Sequence, residues 1–339
     1  MTISAVQRQS QAQILPQRGC RFIVGRLLKG FALGLAALIV LGVGYQAIAT
    51  ELDRRAYTPP GQLYKVNGHQ MHLYCLGEGS PTVILDTGEA ALAAWVLPSV
   101  AQTTRVCAFD RAGYGWSETR SEARDALHRA AELHGLLEAA EIEAPYVLVG
   151  HSLGGLFSRV YRSQYLDEVA GMVLVDATHP DTFERQGESI STMQVIASIS
   201  SVAARVGLMR LFSATQSFSL PEWANAALLA DMASNQYWDS QRADLAAFES
   251  TLAQGRAAGD LGDLPLAVLV ALTYPEGPPR EIERALQYEL AALSSDSMYQ
   301  EIDGAGHNTL LSDPQYAAQI SKAILTVVQS VRTGNPLTR

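Results

Sequence analysis

The apolar positions of this chain fall into three patterns. Phe31 to Ala49 reads FALGLAALIVLGVGYQAIA, an uncharged run of about 20 residues, long enough to cross a bilayer as a helix. Apolar and polar residues then alternate on either side of Asn67-Gly68, which predicts a hairpin of strands Leu63–Val66 and Met71–Cys75. From residue 82 onward, short apolar runs recur at 82–86, 105–110, 146–150, 171–176 and 264–272, with a weaker, more polar sixth at 297–303. Runs that are apolar at every position predict strands covered on both faces. The stretches between them are helical, so the pattern predicts a mostly parallel sheet with helices on both sides.

One interval breaks this alternation. Residues 178–263 hold no strand pattern, only Ala-, Ser- and Leu-rich helical sequence, and predict a helical insertion above the sheet. Its Met193, Phe212, Trp223, Tyr237 and Trp238 would form the insertion's own core or line a pocket. The expected organisation is a tail over 1–30, a membrane anchor over 31–49 and a linker over 50–60 that contains Pro59-Pro60-Gly61. The core would comprise 61–177 and 264–333, with the lid at 178–263.

Charge sharpens the reading of the first fifty residues. They contain Arg8, Arg18, Arg21, Arg26 and Lys29 and no acidic residue. A basic flank on the N-terminal side keeps the tail cytoplasmic and places everything after residue 50 on the far side of the membrane. Ala47-Ile48-Ala49 resembles a signal-peptidase site, and cleavage there would give a secreted protein. The apolar run exceeds the roughly 7–15 residues of a signal h-region, which favours an uncleaved, single-pass anchor. The partners implied are therefore a membrane, through this helix, and a small-molecule substrate. The net charge of −9 argues against a nucleic-acid partner, which calls for a basic footprint.

The sharpest chemical signal is Gly150-His151-Ser152-Leu153-Gly154, which fits G-x-S-x-G between a buried strand and a helix. A serine there sits on a tight, strained turn with its hydroxyl projecting freely, and the helix start behind it favours developing negative charge. The N–H of Leu153 is then the expected first oxyanion donor. A serine needs a base. His69 and His72 fall in the first hairpin and His128 and His134 on an early helix, and these four are expected at the surface. His151 shares the turn but points away from Ser152. His307, in DGAGHNTLLSDP after the last strand, is the expected base, because in this arrangement the chain order is Ser, acid, His.

These residues together resemble the α/β-hydrolase superfamily, in its serine esterase-like branch, over about residues 62–331. The hairpin start, the serine turn, a lid between the sixth and seventh strands and a late histidine occur in that order. DRAGYGWS (Asp110 to Ser117) is similar to the family's loop after the fourth strand, with Asp110 and Arg111 expected to pair locally. The resemblance implies an eight-stranded α/β-hydrolase fold, an acyl-enzyme mechanism and no metal or organic cofactor. Haloalkane dehalogenases and epoxide hydrolases share the DRAGYGWS-like loop but need an aspartate where Ser152 stands.

The resemblance leaves the acid open. It most often lies after the seventh strand, where VALTYPEGPP offers only Glu276. Some members use the end of the sixth strand, where Asp176 stands, and Asp176 is preferred. Asp303 lies too close to His307 along the chain. The second oxyanion donor would be the N–H of Glu89 in Thr87-Gly88-Glu89, although a carboxylate there opposes negative charge. With that irregular acid region, Glu89 also admits a membrane-tethered binding protein without catalysis. In the family the second and fourth strands are neighbours, which brings Cys75 and Cys107 within reach of a disulfide. An exported domain permits one.

Overall fold

A computed structural model describes residues 18–120 and 123–337, so the expected tail over 1–17 lies outside the described residues. Helix α1 (Arg18–Ala56) takes in the rest of that tail, the apolar run and residues 50–56, which the sequence placed in a linker. The reason is local: Glu51 pairs with Arg55 one turn on at 2.7 Å, a spacing that supports helix, and the chain breaks only near Pro59-Pro60. Within α1, Ile23–Ala56 is long and apolar enough to cross a membrane, and its most apolar window has no buried residue.

The strands are β1 (Gln62–Val66), β2 (His69–Leu76), β3 (Thr82–Asp86), β4 (Val106–Phe109), β5 (Tyr146–His151), β6 (Val169–Val175), β7 (Leu266–Val270) and β8 (Ser297–Glu301). They form one sheet in the order β1-β2-β4-β3-β5-β6-β7-β8. β2 runs antiparallel to β1 and β4, and the remaining pairs are parallel. This is the α/β-hydrolase fold. The β1–β2 turn is Asn67-Gly68, with φ of 47° and 91°. Positive φ at both positions suits the right-handed twist of a hairpin, and Asn-Gly tolerates it.

Side chains leave each central strand alternately to two cores. Val83, Leu85, Val147, Val149, Val173 and Val175 face one side, under α2 (Val96–Val100) and a C-terminal helix over Pro314–Thr333. Ile84, Leu148, Met172 and Leu174 face the other, under α3 (Ala126–Ala139) and α4 (Leu153–Gln164). β2 and β4 place Cys75 directly opposite Cys107, and the structure joins them in a disulfide. Its reduction, across a sequence separation of 32 residues, is expected to remove about 3 kcal/mol of stability. Thermal melts with and without reductant check this, and coincident melts would show that the bond contributes nothing.

Between β6 and β7 lie α5 (Thr182–Gln186), α6 (Ile190–Arg205), α7 (Leu208–Ser213), α8 (Glu222–Met232), α9 (Asn235–Ala246) and α10 (Phe248–Ala257). Ala224 and Leu228 of α8 pack on Ala91 and Ala94, just past the end of β3, so the insertion covers the carboxyl edge of the sheet. Phe212 and Trp223 are exposed rather than part of an internal core. After β7 come α11 (Pro278–Ala291), α12 (Thr309–Ser312) and α13 (Pro314–Thr333).

Candidate active site

Ser152 ends β5 and begins α4 with φ 56° and ψ −125°, a conformation that costs a non-glycine residue and is held only by its surroundings. Those surroundings are visible. The Ser152 N–H donates to the Val175 carbonyl at 3.1 Å, and the Thr178 N–H donates to the Ser152 carbonyl at 2.9 Å, so the turn is tied to the end of β6. A Cβ on Gly150 would lie 2.3 Å from the Gly154 carbonyl, and one on Gly154 would lie 2.1 Å from the Asp86 carbonyl. The motif's glycines are therefore demanded by close backbone approach.

Asp176 follows directly on β6, also with positive φ (45°), and is 8% exposed. Its Oδ1 accepts from the Ala271 N–H at 3.2 Å and its Oδ2 lies 2.5 Å from Nδ1 of His307. A neutral imidazole that donates from Nδ1 to a carboxylate keeps the lone pair on Nε2, the atom a base needs. The loop carrying His307 is pinned by two contacts. Thr309 Oγ1 accepts from the Gly306 N–H at 2.7 Å, and His151 Nε2 lies 3.0 Å from the His307 carbonyl. A carbonyl only accepts, so His151 carries its proton on Nε2 and serves as a brace. Burial, followed by the adjacent His307, pushes its pKa down to about 3 and keeps it neutral.

The structure thus brings Asp176 to His307 and leaves Glu276 out. The Glu276 side chain, in the loop after β7, is 80% exposed and ion-paired with Arg280 at 3.3 Å. Sequence distance alone did not separate the two carboxylates.

Two other expectations need correction. Asp110 and Arg111 do not pair with each other. Arg111 bonds Asp86 at 2.7 Å, whereas Asp110 accepts from the N–H groups of Ala90 (2.6 Å) and Trp116 (3.0 Å) and contacts His72 Nδ1 at 2.8 Å. Adjacent residues at a strand end project to opposite sides, so each finds a partner from a different strand. His72 and His69 are accordingly buried rather than at the surface, with His69 Nε2 3.4 Å from Glu132. His128 is exposed as expected, while His134 is half-buried and stacked on Tyr165. Asp110 acts as a positioning residue: through Ala90 it fixes the turn that begins at Glu89.

The N–H of Leu153 and that of Glu89 have no acceptor among the described residues. The Glu89 side chain does not present the charge its sequence position suggested. It is buried against Asp231 of α8, and that burial, with the neighbouring Asp231 and Asp110 charges, holds its pKa well above the ordinary carboxylate range. Burial also raises Asp231, to about 7. Asp231 approaches Glu89 from α8, a contact between core and lid that no local pattern of residues locates.

This pair has a testable consequence. A carboxyl with a raised folded-state pKa binds a proton more tightly folded than unfolded, so stability falls as pH rises from about 4, levelling off only above the Asp231 value of about 7. Asp231→Asn keeps the acceptor used by the Gly115 N–H at 2.9 Å but cannot ionise. Its thermal midpoint relative to wild type is expected to rise by about 3 °C between pH 5 and pH 8. A difference that stays constant or shrinks over that interval would contradict the raised pKa of Asp231.

Comparison with known proteins agrees with this architecture. A profile of the alpha/beta hydrolase family matches residues 88–320. The chain belongs to that family. An uncharacterised protein from Schizosaccharomyces pombe is 25% identical over 308 residues, covering 76% of this chain and 54% of its own length. An uncharacterised vacuolar membrane protein from Saccharomyces cerevisiae is 30% identical over 135 residues, 33% of this chain and 21% of that protein. The chain thus spans about half or less of these curated relatives. A thermophilic esterase from Thermogutta terrifontis superposes with a TM-score of 0.59 at 19% identity, covering 80% of this chain and 99% of the esterase. At that identity the likeness shows the fold.

Proposed function

We propose that this protein is a serine hydrolase that cleaves a carboxylic ester or related acyl bond through an acyl-enzyme. The observation that carries the reading is the 2.5 Å contact between Asp176 and His307 Nδ1, on the same sheet edge that holds Ser152 in its strained turn. Ser152 Oγ attacks the acyl carbonyl while His307 Nε2 takes its proton. The N–H groups of Leu153 and Glu89 hold the oxyanion, and the proton passes to the departing alcohol. Water then attacks the acyl-enzyme and gives a proton to His307, which passes it to Ser152 Oγ as the acyl–oxygen bond breaks and the acid leaves. The raised pKa of the buried Glu89 carboxyl disfavours its charged form, which eases the electrostatic objection to a donor at that position and weakens the non-catalytic alternative.

The proposed setting is a single-pass anchor with the catalytic domain outside the cytoplasm. The basic residues ahead of the apolar run and the Cys75–Cys107 disulfide both support it. A chain-length series of p-nitrophenyl esters, assayed on the detergent-solubilised full chain, tests the activity. Hydrolysis of at least one ester, lost in Ser152→Ala, is expected. Equal release by wild type and variant would overturn the assignment.

A further inference from the structure

Helix α6 shows water a face it has no reason to show. Val195, Ile196, Ile199 and Val202 are each 57–66% exposed and fall on one stripe of the helix. Its opposite face, through Ala197, Ser201 and Ala204, is buried towards α9. α7 continues the stripe with Leu208 and Leu211, also more than half exposed. An apolar patch of this kind marks a contact surface.

The position of the patch relative to α1 identifies what covers it. The turn between α6 and α7 presses on α1 inside the apolar run: a Cβ on Gly42 would lie 2.6 Å from the Val206 carbonyl, and Gly207 lies against Tyr45. Gln46, a polar side chain within that run, is fully buried and donates to the Ala233 carbonyl of the lid at 2.8 Å. Arg210 of α7 caps the outer end of the run: it donates to Gln46 Oε1 at 3.3 Å and to Thr50 Oγ1 at 3.4 Å, and pairs with Asp53 just beyond the run at 2.5 Å. Gly42 lies seven residues before Ala49, a helical rise of about 10 Å into the apolar segment. Whatever solvent surrounds α1 at Gly42 also surrounds the α6–α7 corner.

We propose that α6 and α7 are seated in the outer part of the same lipid bilayer that α1 enters, with the apolar stripe in the acyl region and the Arg210–Asp53 pair near the headgroups. This rests on the reading of α1 as a membrane anchor. The occupant of the stripe is then lipid, because the stripe is continuous with a helix surface that only lipid can cover.

The test uses the full chain in phosphatidylcholine vesicles, with Cys20→Ser and the disulfide intact. A nitroxide is attached in turn at Leu38→Cys in α1, Ile199→Cys, Leu211→Cys and the exposed Lys322→Cys. Collisions with oxygen, which partitions into lipid, are compared with collisions with a water-soluble nickel chelate. The oxygen-to-nickel ratio at 199 and 211 is expected to exceed that at 322 several-fold, on the same side as 38. Water-like ratios at 199 and 211 with a lipid-like ratio at 38 would overturn the lid proposal alone. A water-like ratio at 38 would overturn the anchor and the lid together. Spin–spin broadening between copies at 199, with shielding from both reagents, would show a second protein copy on the stripe and would also overturn it.

Discussion

Ser152→Ala is expected to lower ester turnover by about 10⁶-fold, the scale on which a triad nucleophile acts, with little change in stability. The Ser152 hydroxyl makes no capping bond to α4, so its removal breaks no contact that holds the turn. The φ of 56° is equally unfavourable for alanine, so the strain is unchanged. Initial rates with the preferred p-nitrophenyl ester and a thermal melt of the same sample check both halves. A variant within about tenfold of wild type would remove Ser152 from the chemistry.

Asp176→Asn is expected to cost about 10⁴-fold in turnover, because an amide in place of the carboxylate lets His307 hold its proton on the wrong nitrogen. Asn can still accept from the Ala271 N–H, so the strand end should survive. Glu276→Gln serves as the matched control and is expected to leave turnover unchanged, since that side chain is exposed and bonded only to Arg280 among the described residues. The reverse outcome, with Glu276→Gln crippling and Asp176→Asn mild, would transfer the acid to the loop after β7.

Much of this was legible in the sequence because it depends on local pattern. The strand positions follow from short apolar runs, and the β1–β2 turn follows from Asn67-Gly68. The Ser152 turn follows from glycines that close backbone approach requires. The pairing of Cys75 with Cys107 followed once the family order of strands was assumed. What escaped was decided by contacts between distant segments. Asp176 and Glu276 follow adjacent strands, Asp176 directly and Glu276 in the loop after β7, and only the approach of the His307 loop separates them. Asp110 and Arg111 are neighbours in the chain but find partners on different strands. Glu89 reads as a charge until it is buried against Asp231 of the lid, more than a hundred residues away, which holds its pKa above the carboxylate range. The end of α1 was also misplaced, because its last turns are held by Glu51–Arg55 and by the lid contact of Asp53 rather than by apolar periodicity.

The central claim is that Ser152 is a nucleophile activated by His307. The most direct measurement is covalent capture: the full chain is treated with a fluorophosphonate probe, digested, and the adduct located by peptide mass spectrometry. The adduct is expected on Ser152, absent after Ser152→Ala and strongly slowed in His307→Ala. No adduct on the folded wild-type protein, or an adduct on another residue that persists in Ser152→Ala, would contradict it.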